Sequence, residues 1–391
     1  MITNPFLYIA TLIFIAGVLV CLPRLIKAKW AQKTFQILSP ITLLYLGLML
    51  LCTIGFWNME ATNEVYTNLK NPILYAMLFL MLLRCDLKKI IKLGPKMLIG
   101  FFAATLSIGL GFVISYMAFH SLLGEGSFRT LGALCGSWMG GGGNMLAIQA
   151  ALSVEESAMV YAVVIDSIVP SVYITFLLWG INKYKRFNKW TNADTRLLDE
   201  VGNSLEQEAK ANTKPLLWQN LLILLGASFL GSSLSQMLGE ILNAWIPFFD
   251  KATWTVLIVT VLGTVLAVTP FGKIKGTEEL SNSLLYIVIA LIASRADLSA
   301  MDNAPIWLLT GAVIMLIHVG IMILLAKLLH LDLFTCCVAS LANIGGTATA
   351  PVLAGTYSSA LVPVGIIMAL LGYVVGTGGG LLVAQIMSIW G

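Results

Sequence analysis

The chain has 391 residues, of which 58% are hydrophobic and 11% are charged, and its mean hydropathy is +0.90. Soluble domains carry roughly 25% charged residues, so this composition excludes a soluble protein and indicates an all-α integral membrane protein. The net charge of +4 is small, and we expect lipid rather than nucleic acid as its surroundings.

Twelve apolar segments follow one another along the chain, and most approach the roughly 20 residues that cross a bilayer as a helix. The first lacks the basic leader and the small-residue cleavage site of a signal peptide, so we expect it to remain as a span. The segments lie at residues 5–22, 38–57, 72–83, 97–119, 130–152, 157–181, 216–238, 253–269, 283–294, 305–326, 334–353 and 360–389.

Two of these segments, 130–152 and 334–353, contain glycines through which a helix cannot continue cheaply. Four consecutive glycines follow Met139 in the first segment, and Gly345 and Gly346 lie in the second. Glycine disfavours a helix by about 1 kcal/mol relative to alanine, and unpaired backbone at membrane depth is tolerated only where it is buried or lines a cavity. A pair of interrupted segments is typical of the binding site of a secondary transporter.

The distribution of Lys and Arg decides how many segments cross the membrane. If all twelve cross, the 23 basic residues divide 11 against 12 between the two sides. If 130–152 and 334–353 instead dip in and return as re-entrant hairpins, 19 basic residues lie on one side and 4 on the other, as the positive-inside rule requires. We therefore predict ten spans and two re-entrant hairpins, with both termini outside.

An internal repeat divides the chain into two halves. Residues 69–87 match residues 280–298 with eight identities in 19 positions, at an offset of 211. Each half then holds five spans and one hairpin, and the odd number of crossings inverts one half relative to the other. The predicted parts are a first repeat at 1–181, a cytoplasmic linker at 182–215 and an inverted second repeat at 216–391.

The hairpin tips supply the predicted substrate site. In an inverted repeat the tips approach the midplane from opposite faces, and the half-helices that start there present unpaired N–H groups, which attract anions. The alternative is that the glycines only let helices pack closely. The predicted substrate-binding residues are Ser137, Gly141, Gly142, Gly143, Asn144, Asn343, Gly345, Gly346, Thr347 and Thr349, and Gln149 adds a further amide.

Asp166 is predicted to couple transport to an ion. It lies in the middle of the span 157–181, where a carboxylate is costly unless it is paired, hydrated or protonated. Together with Ser167 and the carbonyl that Pro170 frees, it could hold a sodium ion or accept a proton. The alternative is a hydrogen-bonded aspartate that only packs. No structural metal and no other cofactor is expected.

Three further features have plainer interpretations. His318 is the one histidine within a span, and a lone histidine there is expected to be a satisfied core residue. Arg84 is expected to pair with Asp86 at the end of its span. A local irregularity is predicted in the last span, which carries Gly372, Gly376, Gly378, Gly379 and Gly380.

We predict no enzymatic activity. The glycine runs follow no strand and precede no Lys-Ser/Thr pair, so a phosphate-binding loop is unsupported. A rival hypothesis is an intramembrane serine hydrolase, with Ser137 as nucleophile and His318 or His120 as base. That hypothesis explains neither the second glycine-containing hairpin nor the internal repeat.

The motifs GSWMGGGGN and NIGGTATAPVLA, set in two halves of five spans, resemble the bacterial membrane family DUF819 over nearly the whole chain. That family is similar to the sodium-coupled glutamate and citrate symporters of the cation/proton antiporter and anion transporter group. The resemblance implies a homodimer in the bacterial inner membrane, an elevator motion of a core carrying both hairpins, sodium coupling, and a small anionic or zwitterionic substrate with a carboxylate.

The first hairpin departs from the glutamate carriers, because it has GGGGN where they have a histidine between glycines and threonine. The substrate therefore stays open among amino acids, short peptides and organic acids. Proton coupling and export are the alternatives to sodium coupling and uptake.

Overall fold

The computed structural model describes residues 1–26, 28, 35, 40–85, 87–195, 216–246, 249–296, 304–358 and 361–391. Within these ranges the chain forms helices and short connections, without a β-strand. The predicted linker 182–215 is described only as far as residue 195.

The first half begins with a helix whose start the sequence specifies. The side chain of Asn4 accepts a hydrogen bond from the backbone N–H of Leu7 at 2.9 Å, and Pro5 occupies the first helical position. The helices are α1 Pro5–Leu25, α2 Pro40–Thr53, α3 Asn63–Leu83, α4 Leu87–Lys92, α5 Gly94–Leu123, α6 Ser127–Gly140, α7 Gly142–Ala151, α8 Met159–Gly180 and, in the linker, α9 Tyr184–Thr191.

The second half uses aspartates to start two of its helices. Asp250 accepts from the backbone N–H of Thr253, and Asp332 accepts from that of Thr335, each at 2.8 Å. The helices are α10 Trp218–Trp245, α11 Lys251–Ala267, α12 Thr277–Ala293, α13 Ala304–Leu328, α14 Leu333–Ile344, α15 Gly346–Tyr357 and α16 Val362–Met387.

Six of the described helices are long and apolar enough to cross a membrane, namely α1, α5, α8, α10, α13 and α16. Four more, α2, α3, α11 and α12, lie where the sequence predicts the remaining spans, but they are shorter or less apolar. The helices therefore indicate a multi-pass membrane protein, and the count of ten spans stays a prediction.

The long helices pack as two groups. Helices α1, α2, α3, α10, α11 and α12 pack among themselves, and we call them the outer group. Helices α5 to α8 and α13 to α16 form the second, which we call the hairpin group. The groups touch where α7 and α16 pack on α3 and α11, and where α8 packs on α2. Helix α7 of the first hairpin therefore lies on the face of the hairpin group that meets the outer group.

Both glycine-containing segments are helical hairpins. Helix α7 folds back on α6, since a Cβ added to Gly136 would lie 2.2 Å from Cδ1 of Ile148. Helix α15 returns along α14 in the same way, and the rings of Phe334 and Tyr357 at their far ends are 5.0 Å apart. Each hairpin thus has one tip, at the break between its two helices.

The tips fall on glycines because the backbone there takes a left-handed conformation. Gly141 has φ of +86° and Gly346 has φ of +58°. A side chain is strained in this region, whereas glycine adopts it freely. The helix breaks therefore occur at the positions where the sequence predicts them.

The connector between α7 and α8 is tied to the outer group through Glu156. Its Oε1 accepts hydrogen bonds from Lys70 Nζ at 2.6 Å and from the Tyr66 hydroxyl at 2.5 Å, and its carbonyl accepts from Tyr45 at 2.7 Å. Burial opposes ionisation, but Lys70 and Tyr66 outweigh it and hold the pKa of Glu156 below its usual value. This ionised cluster fixes the base of the first hairpin against α3.

Candidate functional site

The two hairpin tips meet at Tyr373 of α16. The ring carbon Cε1 of Tyr373 lies 3.5 Å from the position that a Cβ on Gly141 would take. Its hydroxyl hydrogen-bonds with Oγ1 of Thr347, just beyond the other tip, at 3.0 Å. A single tyrosine side chain therefore spans the distance between the tips.

The residue before it, Gly372, brings the backbones of both hairpins together. A Cβ on Gly372 would lie 3.0 Å from the carbonyl oxygen of Met139 and 3.2 Å from that of Ala342. No larger residue fits there without moving one hairpin. The centre of α16 is thus the element that positions both tips.

Helices α7 and α15 begin at this meeting point without a side-chain cap. Their N-cap residues are Gly141 and Gly345, and neither provides a hydrogen bond to the helix start. The first N–H groups of each helix therefore have no intrahelical acceptor, and the helix dipole gives them partial positive charge. Two such ends beside one another can bind a carboxylate.

Arg84, at the end of α3, forms an ion pair close to Tyr373. Its guanidinium pairs with Oε2 of Glu278 at 2.9 Å, and it interacts electrostatically with Tyr373. The partner expected from the sequence, Asp86, lies outside the described residues. The side chain of Arg84 is 11% exposed, so water screens its charge only partly.

Some of the predicted tip glycines pack tightly against neighbouring atoms, and others lie beside open space. Gly143 presses on α3, since its Cβ would lie 2.4 Å from Sδ of Met81, and a Cβ on Gly345 would meet Oγ1 of Thr349 at 1.9 Å. At Gly142 and Gly346, by contrast, no atom of the described chain beyond the immediate neighbours lies within 4 Å of the Cβ position. Open space is therefore found at the two residues where a ligand could approach the backbone.

Gln149 is a second polar feature of α7. It is buried, and in the described part of the chain neither its amide nitrogen nor its oxygen has a hydrogen-bond partner. It follows Gly142 by seven residues, so both lie on one face of the helix. An unpaired buried amide costs about 1–3 kcal/mol, which makes this side chain a candidate for binding a polar group.

Other glycines of the first hairpin let its backbone pack closely against the backbone of α16. A Cβ on Gly380 would lie 2.9 Å from Cα of Gly136, and one on Gly376 would lie 2.9 Å from Cα of Gly140. Helix α16 is continuous from Val362 to Met387, so the predicted local irregularity is wrong. Its glycines admit a neighbouring backbone, as small residues do in membrane helices.

Asn144 holds the first hairpin together instead of facing open space. Its Nδ2 donates to the carbonyl of Gly140 at 2.8 Å, and its Oδ1 accepts from Oγ1 of Thr377 at 2.5 Å. The amide thereby satisfies a carbonyl at the end of α6 that has no helical partner. Both polar atoms of Asn144 are used inside the protein.

Asn343 does the same for the second hairpin. Its Oδ1 accepts from Oγ1 of Thr105 on α5 at 2.8 Å, and its Nδ2 donates to the carbonyl of Ala339 at 2.9 Å. The side chain is fully buried. Two residues predicted to bind substrate therefore attach the hairpins to α16 and α5.

We expect Asn144→Ala to lower the melting temperature of the unliganded protein. The substitution leaves the Gly140 carbonyl and the Thr377 hydroxyl buried without their partner, at a cost of about 1–3 kcal/mol. Gly378→Ala on α16 is the control, because its Cβ meets open space and the variant should melt near the wild type. An unchanged melting temperature with lost ligand affinity would instead assign Asn144 to the binding surface.

Asp166 lies beside the first hairpin. Its Oδ1 accepts a hydrogen bond from Oγ of Ser137 at 3.0 Å, and its side chain is partly exposed. Ser167 lies elsewhere, because its hydroxyl bonds to that of Thr42 on α2. The structure therefore joins the predicted ion-coupling aspartate to a predicted substrate residue, and it separates Ser167 from both.

The same helix contacts the second hairpin. The hydroxyl of Tyr173 hydrogen-bonds with Oγ of Ser340 on α14 at 2.8 Å. Tyr173 follows Asp166 by seven residues, so both lie on one face of α8. Helix α8 therefore links the two hairpins through one hydrogen bond to each.

His318 extends this link into the core. Its Nδ1 is 2.7 Å from Oγ of Ser107 on α5, and its Nε2 is 2.7 Å from Oγ of Ser340. Both ring nitrogens are engaged and the side chain is fully buried, as expected for a satisfied core histidine. In the part of the chain that the structure describes, no three His, Cys, Asp or Glu side chains gather as they would around a metal ion.

Tyr373, the residue between the tips, is not among the site residues predicted from the sequence. The available signal was a polar aromatic side chain inside an apolar span, between Gly372 and Gly376. A tyrosine in such a place usually finds a partner for its hydroxyl. Nothing in the sequence indicated that this partner is Thr347.

Fold and site together define a multi-pass helical membrane protein in which two helical hairpins meet at one residue. The chain belongs to the family described as "Protein of unknown function (DUF819)", which matches residues 10–390. It is 22% identical over 363 residues to the uncharacterized membrane protein YjcL of Bacillus subtilis (strain 168), covering 90% of this chain and 89% of that protein. The family that the hairpin motifs suggested is therefore confirmed.

Proposed function

We propose that the protein is a sodium-coupled secondary active transporter of a small carboxylate-bearing solute. The observation that carries this proposal is the meeting of two uncapped helix starts, those of α7 and α15, at Tyr373. Broken helices whose N-termini face a common point bind anionic substrate groups in transporters.

The packing of α5 and α13 supports the inverted repeat. The side chains of Ser107 and His318 are in contact and are separated by 211 residues, one more than the 210 that separate Pro95 at the start of α5 from Pro305 at the start of α13. Four residues later on α5, a Cβ on Gly111 would lie 2.9 Å from the carbonyl of Ile314, four residues earlier on α13. The two helices therefore run antiparallel and touch at nearly equivalent positions, which is consistent with a two-fold axis in the membrane plane.

The position of Asp166 supports ion coupling at the first tip. A cation there would contact a carboxylate already held by Ser137, and its charge would offset the cost of an ionised group within a span. Since α8 also contacts the second hairpin through Tyr173, an ion bound at Asp166 can influence both tips. A proton at Asp166 is the alternative coupling ion, and it suits an amino acid or short-peptide transporter or exporter.

The division into two helix groups supports an elevator motion. Each group draws on equivalent helices of both halves, and the hairpin group contains both tips. Helix α7 of the first hairpin is buried where the groups meet, whereas α15 of the second is partly exposed, with Val352 61% exposed. We propose that the hairpin group moves against an outer group that forms a homodimer in the bacterial inner membrane.

The serine hydrolase hypothesis receives less support from the contacts. A nucleophilic serine needs a base within hydrogen-bond reach, and Ser137 donates to Asp166. His318 bonds instead to Ser107 and Ser340. His120, the other histidine named in that hypothesis, has a buried Nδ1 without a hydrogen-bond partner among the described residues. Ser137 is therefore hydrogen-bonded to neither histidine.

A thermal-shift screen of the purified full-length protein tests the proposal. The panel comprises acidic amino acids, di- and tricarboxylates and short peptides, each in sodium chloride and in choline chloride. We expect one class to raise the melting temperature more in sodium, with about 2.7 kcal/mol of stabilisation at 100 times Kd. The amide of the best ligand is the control. Equal shifts from ligand and amide, or none from any carboxylate, would reject the proposed substrate class.

A further inference from the structure

An apolar cavity of about 230 Å³ lies at the end of α8, between α8, α13 and α14. A cavity of about 150 Å³ with such walls stays dry and accepts an apolar guest as large as benzene. Its walls include Phe176, Leu177, Val319, Met322, Ile323 and Cys337. The space therefore suits a hydrocarbon chain better than water or a polar solute.

The cavity is accessible from the lipid side of the helices. Phe176 and Trp179 on α8 are 53% and 61% exposed, and Ile323 on α13 is 47% exposed. Both helices are long and apolar enough to span the membrane, so these exposed faces meet acyl chains. A chain can enter from the bilayer without crossing a polar surface.

The rim of the cavity is basic. Lys183 lines it, with Nζ 3.6 Å from the centroid of the Trp179 ring. Residues 181–195 carry four basic side chains and one acidic side chain, Asp194, and the basic residues outside the cavity, Lys185, Arg186 and Lys189, are exposed. Tryptophan is enriched at the membrane interface, which indicates that this rim lies at the level of the lipid headgroups.

We propose that an anionic phospholipid of the cytoplasmic leaflet binds here, with an acyl chain in the cavity and its phosphate at Lys183. Basic pockets between spanning helices on the cytoplasmic side recognise such headgroups, and the positive-inside rule assigns residues 182–215 to that side. A neutral lipid could fill the cavity but would leave the basic rim without a counter-charge.

The bound lipid would brace the second hairpin. Cys336 and Cys337 of α14 line the cavity together with Tyr173, whose hydroxyl bonds to Ser340 one turn further along α14. An acyl chain packed there stabilises the contact between α8 and α14. Lipid binding therefore acts on an element of the candidate site without touching its tips.

The first test compares lipids on the purified full-length protein in detergent. Phosphatidylglycerol is expected to raise the melting temperature more than phosphatidylcholine with the same acyl chains, and glycerol phosphate alone is expected to have no effect. Equal stabilisation by the two lipids would overturn the requirement for an anionic headgroup. Equal stabilisation by glycerol phosphate would show a free phosphate site instead of a lipid site.

The second test uses variants. Lys183→Gln should weaken the apparent affinity for phosphatidylglycerol about fivefold, the contribution of one lysine near an anionic surface. Lys189→Gln is the matched control, since it lies outside the cavity and should change little. Val319→Phe should weaken the binding of both lipids, because the larger side chain fills the cavity. If that variant does not fold, Ile323→Trp at the outer wall of the cavity takes its place. Equal affinities in the Lys183 and Lys189 variants would overturn the proposal.

Discussion

Replacing Asp166 with asparagine is expected to abolish the sodium dependence of ligand binding while leaving the unliganded protein folded. The asparagine amide is nearly isosteric, and its oxygen can still accept the hydrogen bond from Ser137. It carries no charge to hold a cation. Loss of a group that supports a metal ligand costs about 10–100-fold in metal affinity. Loss of the carboxylate itself should therefore lower the affinity for sodium by about 100-fold or more.

The measurement is the sodium-dependent part of the ligand-induced thermal shift, followed over a sodium titration. Ser167→Ala is a matched control on the same helix, because the Ser167 hydroxyl bonds to Thr42 and not to Asp166. That variant should keep its sodium dependence. An Asp166→Asn protein with an unchanged sodium titration would show that the aspartate only packs.

A second pair of substitutions separates close packing from ligand contact within one run of glycines. A Cβ on Gly140 would lie 2.2 Å from the carbonyl oxygen of Gly372 and 2.1 Å from Nδ2 of Asn144. Neither neighbour is the free end of a flexible side chain, so Gly140→Ala should push the first hairpin away from α16. We expect a loss of stability of about 1–3 kcal/mol, seen as a lower melting temperature.

Gly142→Ala, two residues later, should keep the stability of the protein and reduce its stabilisation by ligand. Its Cβ meets open space, and alanine favours the helix by up to about 1 kcal/mol over glycine, so the melting temperature should not fall. If ligand contacts the tip backbone, the added methyl group should reduce ligand stabilisation. A Gly142→Ala protein that binds ligand normally would remove the backbone of the first tip from the binding site.

The helix breaks could be predicted because they are a local property of the chain. A run of glycines disfavours a helix, and this preference favours the breaks at Gly141 and Gly345. It is not sufficient alone, because the run Gly378–Gly380 stays helical within α16, where Gly380 packs against Gly136 of the first hairpin. The breaks predicted within 130–152 and 334–353 accordingly coincide with the junctions between α6 and α7 and between α14 and α15, and the re-entrant course of these segments stays a prediction.

The roles of the two tip asparagines could not be predicted, because they depend on residues distant in sequence. Asn144 bonds to Thr377, 233 positions away, and Asn343 bonds to Thr105, 238 positions away. An asparagine beside glycines looks the same in sequence whether its amide faces a ligand or a buried carbonyl. Only the packing of α16 and α5 distinguishes the two.

The pairing of Ser137 with Asp166 could be predicted only in part. Each residue stood out in the sequence by its own chemistry, a hydroxyl within a glycine-rich break and a carboxylate within a span. Their 3.0 Å contact depends on how the first hairpin leans on α8, which no local pattern encodes. Sequence therefore indicated the chemical groups of the site but not their combination.

The place of Asp166 has an electrical consequence. Among the helices that the structure describes, it is the one acidic residue near the middle of a span, while Glu240 and Glu278 lie close to helix ends. An ionised and empty site carries one negative charge, and a site holding sodium carries none.

In the proposed transport cycle, the transmembrane voltage would then act unequally on the return of the empty carrier and on the passage of the loaded carrier. A charge that crosses the whole bilayer gains or loses about 2.3 kcal/mol per 100 mV. On the return of the empty carrier, the voltage would act on the negative charge of Asp166. On the passage of the sodium-loaded carrier, it would act only on the charge of the solute. A neutral zwitterion would therefore cross on a voltage-independent step, and the membrane potential would set the rate at which the carrier resets.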